Sequence, residues 1–193
     1  IYLPGTFNYI AEKWKYWKNF GAIIGSFQYM NEESEIIKQA RPPRILTNGP
    51  IDLSLGPPGN YRLHQVSTFF SRNALDKVGR YVNDDLHYAL DRELLFRVLR
   101  EYPVYTVQKT FGVFRIHPKS KSTEKIIPFY DEFHDLYMSM LNGNKKEDAL
   151  RKYMAKYYLY RGSVKKAKSE NKLYLKIILL FKSIFIMPGK ILE

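Results

Sequence analysis

Cysteine is absent from this 193-residue sequence. Its absence excludes a disulfide framework, a thiolate metal site and a cysteine nucleophile, and it fits a reducing compartment. Three common patterns are also missing: the phosphate-binding loop Gly-x-x-x-x-Gly-Lys-Ser/Thr, the dinucleotide fingerprint Gly-x-Gly-x-x-Gly and the hydrolase turn Gly-x-Ser-x-Gly. The four histidines do not form a ligand pair at helical spacing, so we expect no independent zinc site.

The sequence also lacks an apolar run long enough to span a membrane. The most apolar stretch, Leu173–Met187, has 15 residues and contains Lys176 and Lys182, whereas a spanning helix needs about 20 apolar residues. Two interpretations stay open for this stretch: a helix that docks on protein, and a helix that lies on an anionic membrane surface. Neighbouring basic residues favour the membrane; they are Lys165, Lys166, Lys168 and Lys172.

Acidic residues are few relative to basic ones. The 31 Lys and Arg outnumber the 19 Asp and Glu, a net charge of +12, which indicates an anionic partner such as nucleic acid, a phosphorylated ligand or an acidic membrane. From Asn144 to Glu193 there are 13 basic residues and four acids, so +9 of this charge lies in the C-terminal part. Hydrophobic residues make up 45% of the chain and aromatic residues 16%, enough to bury the core of one domain.

Hydrophobic periodicity predicts strands interleaved with helices, followed by helices only, which is typical of an α/β layer with a helical extension. The predicted strands are Ala22–Tyr29, Glu35–Gln39, Val66–Ser71, Val104–Gln108 and Gly112–Ile116. The predicted helices are Pro4–Phe20, Arg72–Val78, one capped by Asp84 or Asp85 that ends near Glu101, Ser122–Leu141, and one from Asn144 to Tyr160 with a break at Gly162. A long loop is predicted over Arg41–Asn60, which is rich in Pro and Gly.

Four short segments follow one another in an informative order: Ser67–Arg72, Val78–Gly79, Leu86–Leu94 and Phe114–His117. Together they resemble the acceptor-side half of a family 2 glycosyltransferase, an inverting enzyme of the GT-A type that takes sugars from nucleotide-sugar donors. The resemblance implies a partial GT-A fold, a mixed sheet flanked by helices, over residues 1–122. It leaves residues 123–193 as a helical extension whose last helix is amphipathic and basic.

Asp91 is the residue that the resemblance identifies as the general base. Tyr88–Leu94 is similar to the family's pattern of an aromatic, a small residue, Met or Leu, Asp, an acid and Leu. Inverting transfer needs a base that deprotonates the acceptor hydroxyl, and a position near a helix start favours a carboxylate. Because Asp91 shares a helix face with Leu95, we expect it to point toward the sheet and not toward solvent. Asp84 and Asp85 are interpreted as turn and cap residues, and either becomes the base if the register differs.

His117 ends a segment, Phe114–Ser122, that resembles the family's Phe-Arg-x-His followed by Ser-Lys-Ser. By this resemblance His117 would help to hold a divalent cation, Mg²⁺ or Mn²⁺, with the donor diphosphate, and most other metal ligands would lie outside this chain. Arg115 and Lys119 would contact diphosphate oxygens. The alternative interpretation is that both are solvated charges at a strand edge.

Gln65 and Arg72 flank the predicted strand Val66–Ser71. The family often has Gln-Pro-x-x-Phe at this place and a basic residue after the strand. Val66 stands where the proline is expected, so the pattern is matched only in part. On this resemblance Gln65 and Arg72 are candidates for contacts to the acceptor or the diphosphate.

Tyr2–Phe7 resembles the segment that follows the family's metal-binding Asp-x-Asp, which would place the nucleotide-binding half before Ile1. The implied partners are a nucleotide-sugar donor and a glycan or lipid-linked acceptor of the cell envelope. The implied location is the cytoplasm, at the inner face of the membrane. Two alternatives stay open. One is a non-catalytic structural fragment. The other is a basic nucleic-acid-binding module, in which bases of the bound nucleic acid would stack on some of the 16 tyrosines. The charge collects beside an apolar stretch and not among the tyrosines, which argues against nucleic acid.

We expect the 193-residue chain by itself to bind nucleotide sugars weakly and to transfer no sugar, because the donor-binding strands and most metal ligands that the resemblance implies are not among its residues. Isothermal titration with nucleotide sugars and a radiolabelled transfer assay check this expectation. Detectable transfer by these 193 residues would contradict it.

Overall fold

The computed structural model describes residues 1–16, 19–42, 64–117 and 126–170. Lys119, the stretch Leu173–Met187 and most of the predicted loop Arg41–Asn60 lie outside the described residues. The described helices are α1 (Thr6–Trp14), α2 (Arg72–Lys77), α3 (Leu90–Glu101), α4 (Ile126–Ser139) and α5 (Lys145–Ser169). The described strands are β1 (Ala22–Met30), β2 (Ile36–Ala40), β3 (Thr68–Phe70) and β4 (Val104–Arg115), and a 3₁₀ turn (Gln65–Ser67) precedes β3.

The chain divides into two compact units. The first consists of Ile1–Asn83 with Asp91–Ser120, and the second of Asp84–Leu90 with Lys121–Glu193. The first unit contains the four-stranded sheet, and the second contains α4 and α5. The mixed α/β class expected from the sequence is therefore confirmed. Among the described helices, none is both long and apolar enough to cross a membrane.

Strand β1 is the centre of the sheet. It pairs antiparallel with β2 near Phe27 and with β3 near Ile23, and it pairs parallel with β4 along most of its length. Ala22, Ile23 and Ile24 are fully buried. A run of adjacent apolar residues of this kind suits a strand that is covered on both faces.

Strand β4 is one continuous strand, where the sequence predicted two runs separated by Lys109–Phe111. Between Ile24 and Phe27 strand β1 advances three residues, while β4 advances six, from Thr106 to Gly112. The three surplus residues of this bulged stretch fall on both sides of the Ser26–Thr110 pair, which explains why the local pattern looked like a break. A Cβ atom on Gly25 would lie 2.3 Å from the Phe111 ring, so the bulge brings this ring directly over a glycine.

Two predicted helix boundaries are wrong because contacts with residues distant in the sequence, and not the local pattern, determine them. Helix α3 begins at Leu90 and not after Asp84 or Asp85. Helix α5 continues through Gly162, where a break was predicted. A Cβ atom on Gly162 would lie 3.1 Å from the Cβ atom of Tyr130, so this glycine allows close helix packing and does not end the helix.

A carboxylate of α4 binds the turn that leads into α3. The side chain of Glu132 accepts hydrogen bonds from three successive backbone N–H groups, those of His87 at 2.8 Å and of Tyr88 and Ala89 at 2.6 Å each. Successive N–H groups that converge in this way form an anion-binding nest. Glu132 thus accepts hydrogen bonds from the backbone N–H groups just before the helix start. The sequence had predicted that Asp84 or Asp85 would cap this helix.

We expect Glu132→Gln to lower the free energy of unfolding by about 2 kcal/mol, since hydrogen bonds to a charged group contribute about 1.5–3 kcal/mol each. The neutral amide offers one acceptor oxygen, and its NH₂ group would face a backbone N–H. Urea unfolding followed by circular dichroism measures the change. Asp131→Asn is the matched control, because Asp131 is the adjacent exposed acid, and it should leave stability unchanged. Equal stabilities of the two variants would contradict the prediction.

Candidate functional site

A small pocket opens in the first unit between the 3₁₀ turn, β3 and the start of α3. Its volume is about 40 Å³, enough for a hydroxyl group or a single water molecule. The side chains that line it are His64, Gln65, Thr68, Phe70, Asp91, Arg92 and Leu95. Two residues singled out from the sequence, Gln65 and Asp91, therefore line the same pocket, although 26 positions separate them in the chain.

Asp91 is the second residue of α3. The free N–H groups and the dipole of a helix start favour a carboxylate at this position. The residue is exposed, which differs from the expectation that it would point away from solvent. The buried positions of α3 begin one turn later, at Leu95 and Phe96, so the first turn is left at the mouth of the pocket. An exposed carboxylate beside a pocket is accessible to a hydroxyl that enters from solvent.

His64 also lines the pocket and received no role from the sequence. Its ring centroid lies 4.9 Å from that of Phe27 and 4.3 Å from that of Phe114. Its carbonyl oxygen accepts hydrogen bonds from the hydroxyls of Ser67 at 3.2 Å and Thr68 at 3.0 Å. The ring and the backbone of His64 are therefore both held in place, by contacts to two strands and to the turn that follows.

Burial lowers the pKa of the His64 imidazole; the nearby Asp91 carboxylate opposes this shift and Arg92 adds to it. Nδ1 of His64 accepts a hydrogen bond from the backbone N–H of Val66 at 3.3 Å. A nitrogen that accepts a hydrogen bond carries no proton, so in the neutral ring Nε2 carries it. The site thus combines a neutral imidazole, with one N–H donor, and a carboxylate.

Arg72 follows β3 at the start of α2 and does not line this pocket. It lines a second, more open groove with Phe70, Leu75 and Arg80. Phe70 belongs to both cavities, so the groove adjoins the pocket.

Arg115 is the last residue of β4 and His117 follows it two positions later; neither side chain lines the pocket. The guanidinium of Arg115 donates to the carbonyl of Glu32 at 2.9 Å and to the hydroxyl of Ser34 at 3.1 Å, so it holds the turn between β1 and β2. His117 is half-buried and follows three residues after Phe114, which contacts His64. Lys119 lies outside the described residues.

The described residues do not form a site for a divalent cation. Within residues 1–16, 19–42, 64–117 and 126–170, no group of three or more His, Asp or Glu side chains is placed to hold a metal ion. His117 offers one possible ligand, and Mg²⁺ usually binds through carboxylates together with substrate phosphates.

No model of a known protein family matches this chain. A search of curated proteins also found no match.

The lowered pKa of His64 makes the stability of the protein depend on pH. Because its pKa is lowered in the folded state, the unfolded chain binds the proton more readily once the pH falls below about 6.5, the ordinary value for histidine. This contribution to stability is therefore complete above that pH and is lost progressively as the pH falls toward the folded-state pKa. We expect His64→Asn, whose side-chain oxygen can still accept from Val66, to lose less stability than the wild type between pH 7.5 and pH 5. Urea unfolding at both pH values measures this, and equal losses would contradict it.

Proposed function

We propose that this chain is the acceptor side of an inverting family 2 glycosyltransferase of the GT-A type, with Asp91 as the general base. The observation that carries the proposal is the pocket that Asp91 shares with Gln65 and His64. The family resemblance and the geometry select Asp91 and Gln65 by independent criteria. A mixed sheet with a buried central strand is compatible with the larger fold that the resemblance implies.

The proposed step is a single displacement. The acceptor hydroxyl enters the pocket, Asp91 takes its proton, and the acceptor oxygen forms a bond to the anomeric carbon of the donor sugar. The bond from that carbon to the diphosphate oxygen breaks, and the diphosphate leaves with the bonding electrons. Attack opposite the leaving group inverts the configuration at the anomeric carbon. A base positioned within hydrogen-bond reach of the hydroxyl gives about 10²–10⁴-fold in rate.

The other pocket residues support the orientation of the acceptor. The Nε2–H group of neutral His64 and the amide of Gln65 provide hydrogen-bond donors, and a donor and a base that contact the same hydroxyl together orient it. Phe70 and Leu95 add apolar surface. A few convergent polar groups on an apolar lining are typical of binding sites for small molecules and sugars.

The donor side is proposed to lie outside these 193 residues and to bring most of the ligands for Mg²⁺ or Mn²⁺. When bound, the ion would supply positive charge to the departing diphosphate. His117, Arg115 and Lys119 are the residues of this chain proposed to face that diphosphate, and Arg115 would first have to leave the turn that it holds. The proposed setting is the cytoplasmic face of the membrane, with a glycan or lipid-linked acceptor.

The nucleic-acid alternative has less support from the described residues. Several aromatic side chains pack against one another and not toward solvent. In the second unit the rings of Phe133 and Tyr137 stack on Tyr158, with centroid distances of 4.8 and 5.6 Å. Rings engaged in this way are not available as a platform on which bases could stack.

We expect Asp91→Asn to lower the transfer rate by about 10²–10⁴-fold and to leave donor binding intact, in the protein that includes the proposed donor-binding half. An asparagine keeps the size of the side chain and removes the basic oxygen. Release of nucleoside diphosphate in the presence of acceptor measures the rate, and titration with the nucleotide sugar measures donor binding.

Asp84→Asn is the matched control. Asp84 is an exposed acid seven residues earlier, it does not line the pocket, and it would become the base only if the family pattern were shifted. The control should transfer sugar at the wild-type rate. Unchanged turnover in Asp91→Asn, or a large loss in Asp84→Asn, would reject Asp91 as the base.

A further inference from the structure

The groove beside the pocket has the features of a second binding surface. Its volume is about 400 Å³, within the range of about 300–1,000 Å³ that is usual for ligand sites. It is lined by Phe70, Arg72, Leu75 and Arg80. Since Phe70 also lines the pocket of Asp91, the two cavities adjoin at this residue.

The charges beside the groove favour an anion. Arg72, Asp76 and Arg80 follow one another at four-residue steps along and just beyond α2. Asp76 forms an ion pair with Arg80 and also lies in the field of Arg72. Two guanidinium groups and one carboxylate leave a net charge of +1. Guanidinium groups bind carboxylates and phosphates through paired N–H donors, and they do so with more geometric selectivity than lysine.

The backbone of Arg80 provides a separate observation. Helix α2 ends in a Schellman motif, in which the N–H of Arg80 donates to the carbonyl of Leu75 at 2.9 Å and that of Gly79 to Asp76 at 3.4 Å. Gly79 has φ 97° and Arg80 has φ 54°. A glycine adopts the left-handed region without cost, whereas for arginine this region is unfavourable. Residues held in such conformations cluster at functional sites, and here the strained residue is one that lines the groove.

We propose that this groove binds a single anionic group, a carboxylate or a phosphodiester, carried by the acceptor saccharide. The acceptor sugar lies against the Phe70 ring, its anionic group contacts Arg72 and Arg80, and its reactive hydroxyl reaches Asp91. This inference rests on the proposed function, because it assigns the second cavity to the same acceptor. It specifies the substrate class as an acidic glycan, or a glycan joined through a phosphodiester.

The test is a binding measurement on the 193-residue chain. Three probes share one sugar ring: methyl glucuronide carries a carboxylate, glucose joined to glycerol by a phosphodiester carries a phosphate, and methyl glucoside is neutral. Affinities follow from NMR titration at low salt, because a charge-dependent contact at the surface weakens as salt is added. We expect at least one anionic probe to bind about tenfold more tightly than the neutral one, and the stronger of the two identifies the anionic group.

The double variant Arg72→Gln with Arg80→Gln should reduce the affinity for the anionic probe to that for the neutral probe. Lys38→Gln removes one exposed positive charge on β2 and is the control for a change in net charge. It should leave the affinities for all three probes unchanged. Equal binding of all three probes, or an unchanged affinity in the double variant, would overturn the inference. Circular dichroism confirms that each variant is folded. If the double variant does not fold, the single variant Arg80→Gln replaces it, and an unchanged affinity for the anionic probe in that variant would likewise overturn the inference.

Asp91→Asn separates this inference from the proposed function. It should keep the preference for the anionic probe, since Asp91 does not line the groove. If the anionic preference is absent while turnover still depends on Asp91, the groove assignment is wrong and the proposed function stands. If the preference is present while turnover does not depend on Asp91, the groove binds an anion and the proposed function is wrong.

Discussion

The burial of β1 is the constraint on which the rest of the first unit depends. This strand pairs with each of the other three strands that the structure describes, so its position sets the register of all of them. Through β3 it places Phe70 at the pocket, and through β4 it places Phe114 in contact with His64. Two of the pocket residues, Thr68 and Phe70, lie on β3, so their positions follow directly from its pairing with β1.

The candidate site shows how charged and polar groups are kept in place by their neighbours. His64 is held at its ring by two aromatic side chains and at its carbonyl by two hydroxyls, which leaves little freedom for its Nε2–H group. Asp91, by contrast, is fixed mainly by the helix that carries it. One fixed donor and one accessible carboxylate suit a reaction in which the acceptor has to be oriented before its proton is removed.

Much of the fold and part of the site were predictable from local pattern. The apolar run of β1, the short α2 with its terminal glycine and the motif around Asp91 all carry their information in adjacent residues. The errors arise where residues distant in the sequence determine a helix boundary or the position of a side chain. Glu132, more than 40 positions away, binds the turn before α3, and Tyr130 explains why Gly162 lies inside a helix. His64 was missed for the same reason, because its position depends on rings from β1 and β4.

The bulge of β4 has a consequence for how this fold can vary. Six residues of β4 lie beside three of β1, so an inserted or deleted residue within that stretch can be taken up locally without displacing the paired ends of the strand. Elsewhere in β4 the same change would move every later side chain to the opposite face of the sheet. Natural length differences between relatives are therefore expected to collect in this stretch. The contact between Phe111 and Gly25 limits this variation, because it leaves no space for a side chain at position 25.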